Sequence, residues 1–190
     1  MMKFRWVIML SALGLLLWTA ASGGLMVAAA GQTTAKASGA PVIVLETAQG
    51  TIEIETYPDD APKSLAHVLA LVKQGFYRGQ RFHFATPGSV QFGDPLTRDM
   101  SKQEGWGNGG SPSGPVGVAE TSKRKFEKGV VGLAYRTGAL PRTADSQIFI
   151  IRIANPALDG KYAVLGHVVA GMPVLDKIEK GDVIKLVSIK

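Results

Sequence analysis

The side chains of greatest chemical interest lie in RFHFATPGSVQFGDP, residues 81–95, and in the apolar run from Gln147 to Ile153. A glutamine inside an otherwise apolar strand must satisfy its amide somewhere, and a ligand groove is one natural place. In the first stretch, two-residue alternation sets Phe82 and Phe84 on one face of a strand and Arg81 and His83 on the other. Metal and covalent chemistry find little footing. His67, His83 and His167 lack metal-ligand spacing, and the chain has no cysteine for a structural zinc. His67 falls off the apolar stripe of its helix and reads as exposed. There is no Gly-x-Ser-x-Gly elbow. Gly105, Gly107 and Gly110 make a formal G-x-G-x-x-G, but no strand precedes it and Ser-Pro follows. A dinucleotide loop needs its third glycine to open a helix, so the match is discounted.

Those residues need a scaffold. Val42 to Thr47 and Thr51 to Thr56 read as paired strands around Ala48-Gln49-Gly50, with Ile52 and Ile54 on one face and Glu53 and Glu55 on the other. The next segment, DDAPKSLAHVLALVKQG, predicts an amphipathic helix. Asp60 is its expected cap, Pro62 lies in its first turn, Leu65, Val68, Leu69 and Val72 form its stripe, and Gly75 ends it. Phe82 to Val90 and its continuation predict short strands. Gly105 to Val118 holds six glycines and two prolines and reads as a long loop. Val130–Tyr135, Gln147–Ile153 and Ala163–Val169 are buried-strand candidates, Pro173–Lys180 is a second short helix, and Val183–Lys190 a last strand. Many short strands, two helices and no βαβ rhythm predict a mainly β fold, a closed antiparallel barrel capped by helices.

The chain has 190 residues, 46% apolar and 19% charged, enough for one domain with a genuine core. Much of the apolar excess lies at the start. Lys3 and Arg5 precede an apolar run from Val7 to Trp18, and Ala28-Ala29-Ala30 offers a small-residue cleavage site. Residues 1–30 therefore read as a secretory signal, with an uncleaved anchor over 6–30 as the rival. Either reading sends the folded part out of the cytoplasm, to the periplasm or beyond, with the membrane touched only through that segment. Residues 31–40 are a small, polar linker and the domain runs from 41 to 190. The net charge is +6, and it falls by two to +4 without Lys3 and Arg5. The cations are scattered, and Glu120 and Glu127 flank the one local run, Lys123-Arg124-Lys125. That is a solvated basic surface rather than a nucleic-acid stripe.

Several patterns coincide in order: Thr47-x-x-Gly50-x-Ile52, Ala61-Pro62, Gly75-Phe76-Tyr77, Phe82-His83, Pro87-Gly88, Gln91-x-Gly93-Asp94-Pro95, Ser146-Gln147-x-Phe149-Ile150, Leu158-Asp159-Gly160-Lys161-Tyr162 and Gly166-x-Val168. Over residues 42–190 the chain resembles the cyclophilin-type peptidyl-prolyl cis-trans isomerases, with LDGKY giving it the flavour of the exported bacterial branch. The resemblance implies an eight-stranded barrel with two helices and a groove that takes a proline ring. It implies proline-containing polypeptides as partners, no metal, no cofactor, and a monomer. Its chemistry is to favour the twisted X-Pro amide, whose nitrogen gains a lone pair, over the planar one.

On this resemblance Gln91 and Gln147 bind and orient the peptide, Phe149 and Leu158 wall the pocket, and Tyr162 stands at the groove's end. Tyr135 and Arg136 fall beside it, within the family's Ala-Arg-Thr stretch, and Tyr135 is unusually large there. The family's Phe-His-Arg reads Phe82-His83-Phe84, so Phe84 replaces the donor. Pro87-Gly88-Ser89 replaces Pro-Gly-Phe in a segment about one residue short, and Phe84 is a candidate to refill the lost aromatic wall. Ser-Gln-Phe-Phe reads Ser146-Gln147-Ile148-Phe149, and Ala157 stands where some members carry tryptophan. Arg136 on the rim is then the candidate substitute cation and Arg142 lies on a loop nearby, with a solvated surface position the default for both. The function implied is an exported isomerase of reduced activity, and the alternative is a proline-binding module without turnover.

Overall fold

The computed structural model describes residues 39–136 and 138–190. The predicted leader, most of the predicted linker and Thr137 lie outside the described residues. Eight strands form one antiparallel sheet: β1 (Val42–Thr47), β2 (Gly50–Thr56), β3 (Phe84–Ala85), β4 (Ser89–Phe92), β5 (Val130–Leu133), β6 (Ile148–Ile151), β7 (Ala163–Ala170) and β8 (Ile184–Ile189). Their order in the sheet is β3-β4-β6-β5-β7-β2-β1-β8.

The β1–β2 hairpin keeps the predicted alternation. Ile52 and Ile54 are buried and face Leu45 and Ile43, while Glu53 and Glu55 lie on the other side. Helix α1 (Pro62–Lys73) buries Leu65, Val68, Leu71 and Val72 on the sheet. Each such side chain contributes roughly 1.5–3 kcal/mol of burial before entropy is counted. Asp60 does not cap this helix. Ala61 stands at the cap without a side-chain acceptor, and the Glu120 carboxylate accepts from Lys63 N at 3.0 Å and Ser64 N at 2.6 Å. The free amides of the first turn are thus satisfied by a residue remote in sequence. Helix α2 is shorter than predicted, Met172–Leu175. The carbonyls of Leu175 and Ile178 accept instead from the Arg152 guanidinium.

The expected closed barrel is in fact an open, curled sheet. Its edge strands β3 and β8 form no ladder with each other. The edges meet at one bridge, Arg81 to Val183, reinforced by Phe82 N to Asp182 O at 3.1 Å and Ile184 N to Gln80 O at 2.8 Å. The physical reason is the shortness of β3, since regular strand begins only at Phe84.

Alternation sorts the middle strands into two apolar clusters. Val90 and Phe92 of β4, Val131 and Leu133 of β5, and Ile148 and Ile150 of β6 join the main core. Val130, Phe149 and Ile151 face the other way, into a second cluster with Phe126, Ala134 and Val164. A strand covered on both faces reads as a continuous apolar run, which is why IFII shows no alternation of its own.

Candidate functional site

Ala134 and Phe149 of the second cluster, with Leu158 and Tyr162 packed against it, form the floor of an open cavity of about 960 Å³. Phe149 stacks on Phe126 with ring centroids 5.6 Å apart at 20°, and Tyr162 meets Phe149 edge-on at 5.2 Å and 75°. Tyr135 stacks on Tyr162 at 4.7 Å and 29°, its hydroxyl donating to Lys161 O at 3.2 Å. These are favoured ring geometries, and they give the floor rigid apolar walls. Gly132 makes room for it: a Cβ there would lie 2.4 Å from Phe149 Cζ. Burial, and then Tyr135, raise the Tyr162 pKa, so its phenol stays protonated at neutral pH and can donate.

The opposite wall is polar and backbone-rich. Gln147 Nε2 donates to Gly107 O at 2.9 Å and Gly109 O at 2.8 Å, while Gln147 Oε1 accepts from Gln91 Nε2 at 2.8 Å. Both amide protons of Gln147 are therefore engaged, and Gln91 keeps its Oε1 and one N–H for a ligand. The buried Asp94 carboxylate accepts from Gly107 N at 2.6 Å, Gly109 N at 3.1 Å and Leu96 N at 2.8 Å. A Cβ on Gly109 would fall 2.0 Å from Asp94 Oδ1, so the loop's approach demands glycine there. Asp145 holds the far end of the loop, accepting from Ser111 N at 2.5 Å and Ser111 Oγ at 2.6 Å. The glycine-rich loop read from the sequence is thus an ordered wall, held by two carboxylates and one amide.

Gln91, Tyr135, Arg136, Gln147, Phe149, Leu158 and Tyr162 line this one cavity. Phe82 does not. It is fully buried in the main core, 5.3 Å edge-on from Phe92. Its backbone belongs to the seam with Asp182, so the strand alternation that paired it with Phe84 does not apply. Phe84 is 45% exposed and does not refill the wall; it stands opposite Gln91 across the β3–β4 ladder. Opposed residues of an antiparallel pair share a face with Cβ atoms about 4.5–5.5 Å apart, which puts Phe84 at the margin of the cavity. Arg136 is the cation lining it, and its Nη2 donates to Asn108 O on the loop wall. His67 is not the exposed residue expected: its Nε2 lies 3.0 Å from Asp145 Oδ1, both side chains only 16% exposed. Sequence reading missed Asp94, Asp145 and His67 as organisers of the wall. The quoted Gly93-Asp94-Pro95 was the one available signal, because Asp94 also caps the turn that Pro95 opens.

Chemically the arrangement can seat an apolar ring against Phe149, Leu158 and Tyr162 while Gln91 hydrogen-bonds the backbone beside it. Among the described residues no cluster of His, Cys, Asp and Glu could hold a metal, and no helix is long and apolar enough to cross a membrane.

Residues 42–189 match the family model for cyclophilin type peptidyl-prolyl cis-trans isomerases. A probable peptidyl-prolyl cis-trans isomerase of Brucella abortus is 38% identical over 157 residues, 80% of this chain and 78% of that protein. A Helicobacter pylori peptidyl-prolyl cis-trans isomerase is 33% identical, over 75% of this chain and 83% of its own. Among solved structures, a Cryptosporidium parvum cyclophilin type isomerase, crystallised in the presence of the dipeptide Ala-Pro, superposes with a TM-score of 0.67 at 26% identity. The match covers 78% of this chain and 98% of that one.

Proposed function

From the premise that this chain belongs to the cyclophilin-type peptidyl-prolyl cis-trans isomerase family, we propose that it isomerises X-Pro bonds of exported proteins at a rate reduced by Phe84. The task is a rotation over a barrier of roughly 18–20 kcal/mol, with no covalent step. The floor of Phe149, Leu158 and Tyr162 receives the proline ring. Gln91, oriented by Gln147, holds the neighbouring backbone, so the flanking peptide is fixed while the amide turns. Groups that hold planar and twisted amides equally lower no barrier; the twisted nitrogen needs a donor of its own. Phe84 occupies the place opposite Gln91 where the family's arginine is expected, and that single observation carries the proposal. The Ala-Pro dipeptide used with the Cryptosporidium parvum protein supports an imino acid as the ligand's anchor. The basic, then apolar, start of the chain supports export.

Phe84→Arg tests it. From position 84 an arginine shares a face with Gln91 and reaches over the cavity. In a protease-coupled assay on a proline tetrapeptide the variant is expected to turn over faster, approaching the roughly hundredfold that is the lower end of what one donor to a developing charge supplies. A wild-type rate as high as that of arginine-bearing members, slowed by the substitution, refutes the role given to Phe84.

A second reading, a groove that binds proline segments without turnover, is favoured by Arg136 being engaged with the Asn108 carbonyl. Exchange NMR on a proline peptide separates the two: peptide shifts without cis–trans exchange establish the binding module.

A further inference from the structure

We infer that His67, on the flank of helix α1, is a positioning residue for the peptide groove. This rests on the groove reading above and adds a control point outside it. The inner stripe of α1 is buried in the main core, so the helix is a fixed support, and His67 leaves that stripe to reach Asp145, which itself lines the cavity. An unbroken line of hydrogen bonds and backbone follows. His67 Nε2 meets Asp145 Oδ1, and Asp145 takes both the amide and the hydroxyl of Ser111. Ser111 adjoins the Gly107–Gly110 wall, whose carbonyls take both amide protons of Gln147. Gln147 in turn presents its oxygen to Gln91.

Since a carboxylate only accepts, Nε2 of His67 carries the proton in this contact. The contact fixes which way the Asp145 carboxylate faces, and so where Ser111 and the last glycines stand. Tyr77 supports the same corner from beneath, its hydroxyl donating to Ser146 O at 3.2 Å. A contact that only stabilised the fold would not need to end on the amide that faces the peptide. His67 does not line the cavity itself and acts through Asp145, which does.

The test uses the full chain and the peptide Ala-Ala-Pro-Phe, followed by chemical-shift titration. His67→Leu keeps the bulk and removes the donor, whereas His67→Gln places an uncharged N–H at the reach of Nε2. Loss of about one hydrogen bond's worth of order should weaken peptide binding about fivefold in His67→Leu. His67→Gln should bind within about twofold of wild type, on the same reasoning. Both variants should be fully folded at the titration temperature, with His67→Leu melting slightly lower for its lost hydrogen bond. Wild-type affinity in His67→Leu, an equal loss in His67→Gln, or partial unfolding of His67→Leu at the titration temperature overturns the inference. If the wild-type chain itself binds no peptide, the groove reading fails instead, and amide exchange at Gly109 and Ser111 in the free protein decides. Faster exchange in His67→Leu alone sustains the positioning role, and equal exchange in all three proteins ends it.

Discussion

A methyl group added at Gly132 should be felt in two places, the stability of the sheet and the floor of the groove. Gly132 sits on β5 opposite Phe149 of β6, and its Cβ would lie 2.4 Å from Phe149 Cζ, 2.6 Å from Cε1 and 3.1 Å from Phe126 Cε1. Carbon atoms rest at about 3.5–4.0 Å, so the Phe149 ring must retreat by roughly 1 Å. Phe126 stacks behind it and Tyr162 stands at its edge, which leaves displacement toward the open cavity. Overpacking of this kind costs about 1–3 kcal/mol. For a folded unit of about 150 residues, 2 kcal/mol corresponds to a Tm lower by about 4–8 °C. Circular dichroism melting measures the first effect and titration with a proline peptide the second. Phe149→Leu in the Gly132→Ala background removes the clashing edge, so Tm should largely recover while peptide affinity stays low without the aromatic floor. A Gly132→Ala protein that melts within 1 °C of wild type and binds the peptide equally well would refute the account of the floor, whatever its basis.

Two further outcomes concern buried polar groups. Arg152 is 9% exposed and donates to Thr86 O at 2.9 Å and to the carbonyls of Leu175 and Ile178, and among the described residues no carboxylate is bonded to it. Arg152→Met should strand the two buried acceptors, Leu175 O and Ile178 O, and cost about 2 kcal/mol in urea unfolding, at roughly 1 kcal/mol for each; a loss below 1 kcal/mol would show water replacing the guanidinium. Burial lowers the His83 pKa below 6.5, with Asp94 pulling the other way and Lys180 adding to the depression. The unfolded chain therefore binds the proton first, so the stability gained by keeping this ring neutral is complete above pH 6.5 and is lost as the pH falls from there toward the folded value. The free-energy gap between wild type and His83→Gln should narrow on acidification over that range; a constant gap would mean His83 is not held neutral by the fold.

Where a run of residues carries its own periodicity, the fold could be read directly. The β1–β2 alternation and the stripe of α1 fall within a residue or two of their predicted places, as do β5 to β8. Two of the misses share a cause, a partner remote in sequence. Glu120 caps α1 from 57 residues away at Lys63, and the Arg81–Val183 seam takes Phe82 out of strand alternation. The cavity-lining residues were placed by family pattern rather than by periodicity, since Leu158, Tyr162 and Tyr135 sit outside any regular strand. His67 illustrates the limit: helical spacing reports which face is apolar but not that Asp145, 78 residues on, waits on the other.

The two ends of the described domain exchange a pair of backbone hydrogen bonds, Val42 N to Lys190 O at 3.0 Å and Lys190 N to Val42 O at 2.9 Å. The residue at which the chain enters the domain and its last described residue thus lie side by side, and β1 and β8, which carry them, contribute nothing to the cavity wall. A pull applied at either end of the domain would therefore load the same pair of strands, neither of which lines the cavity.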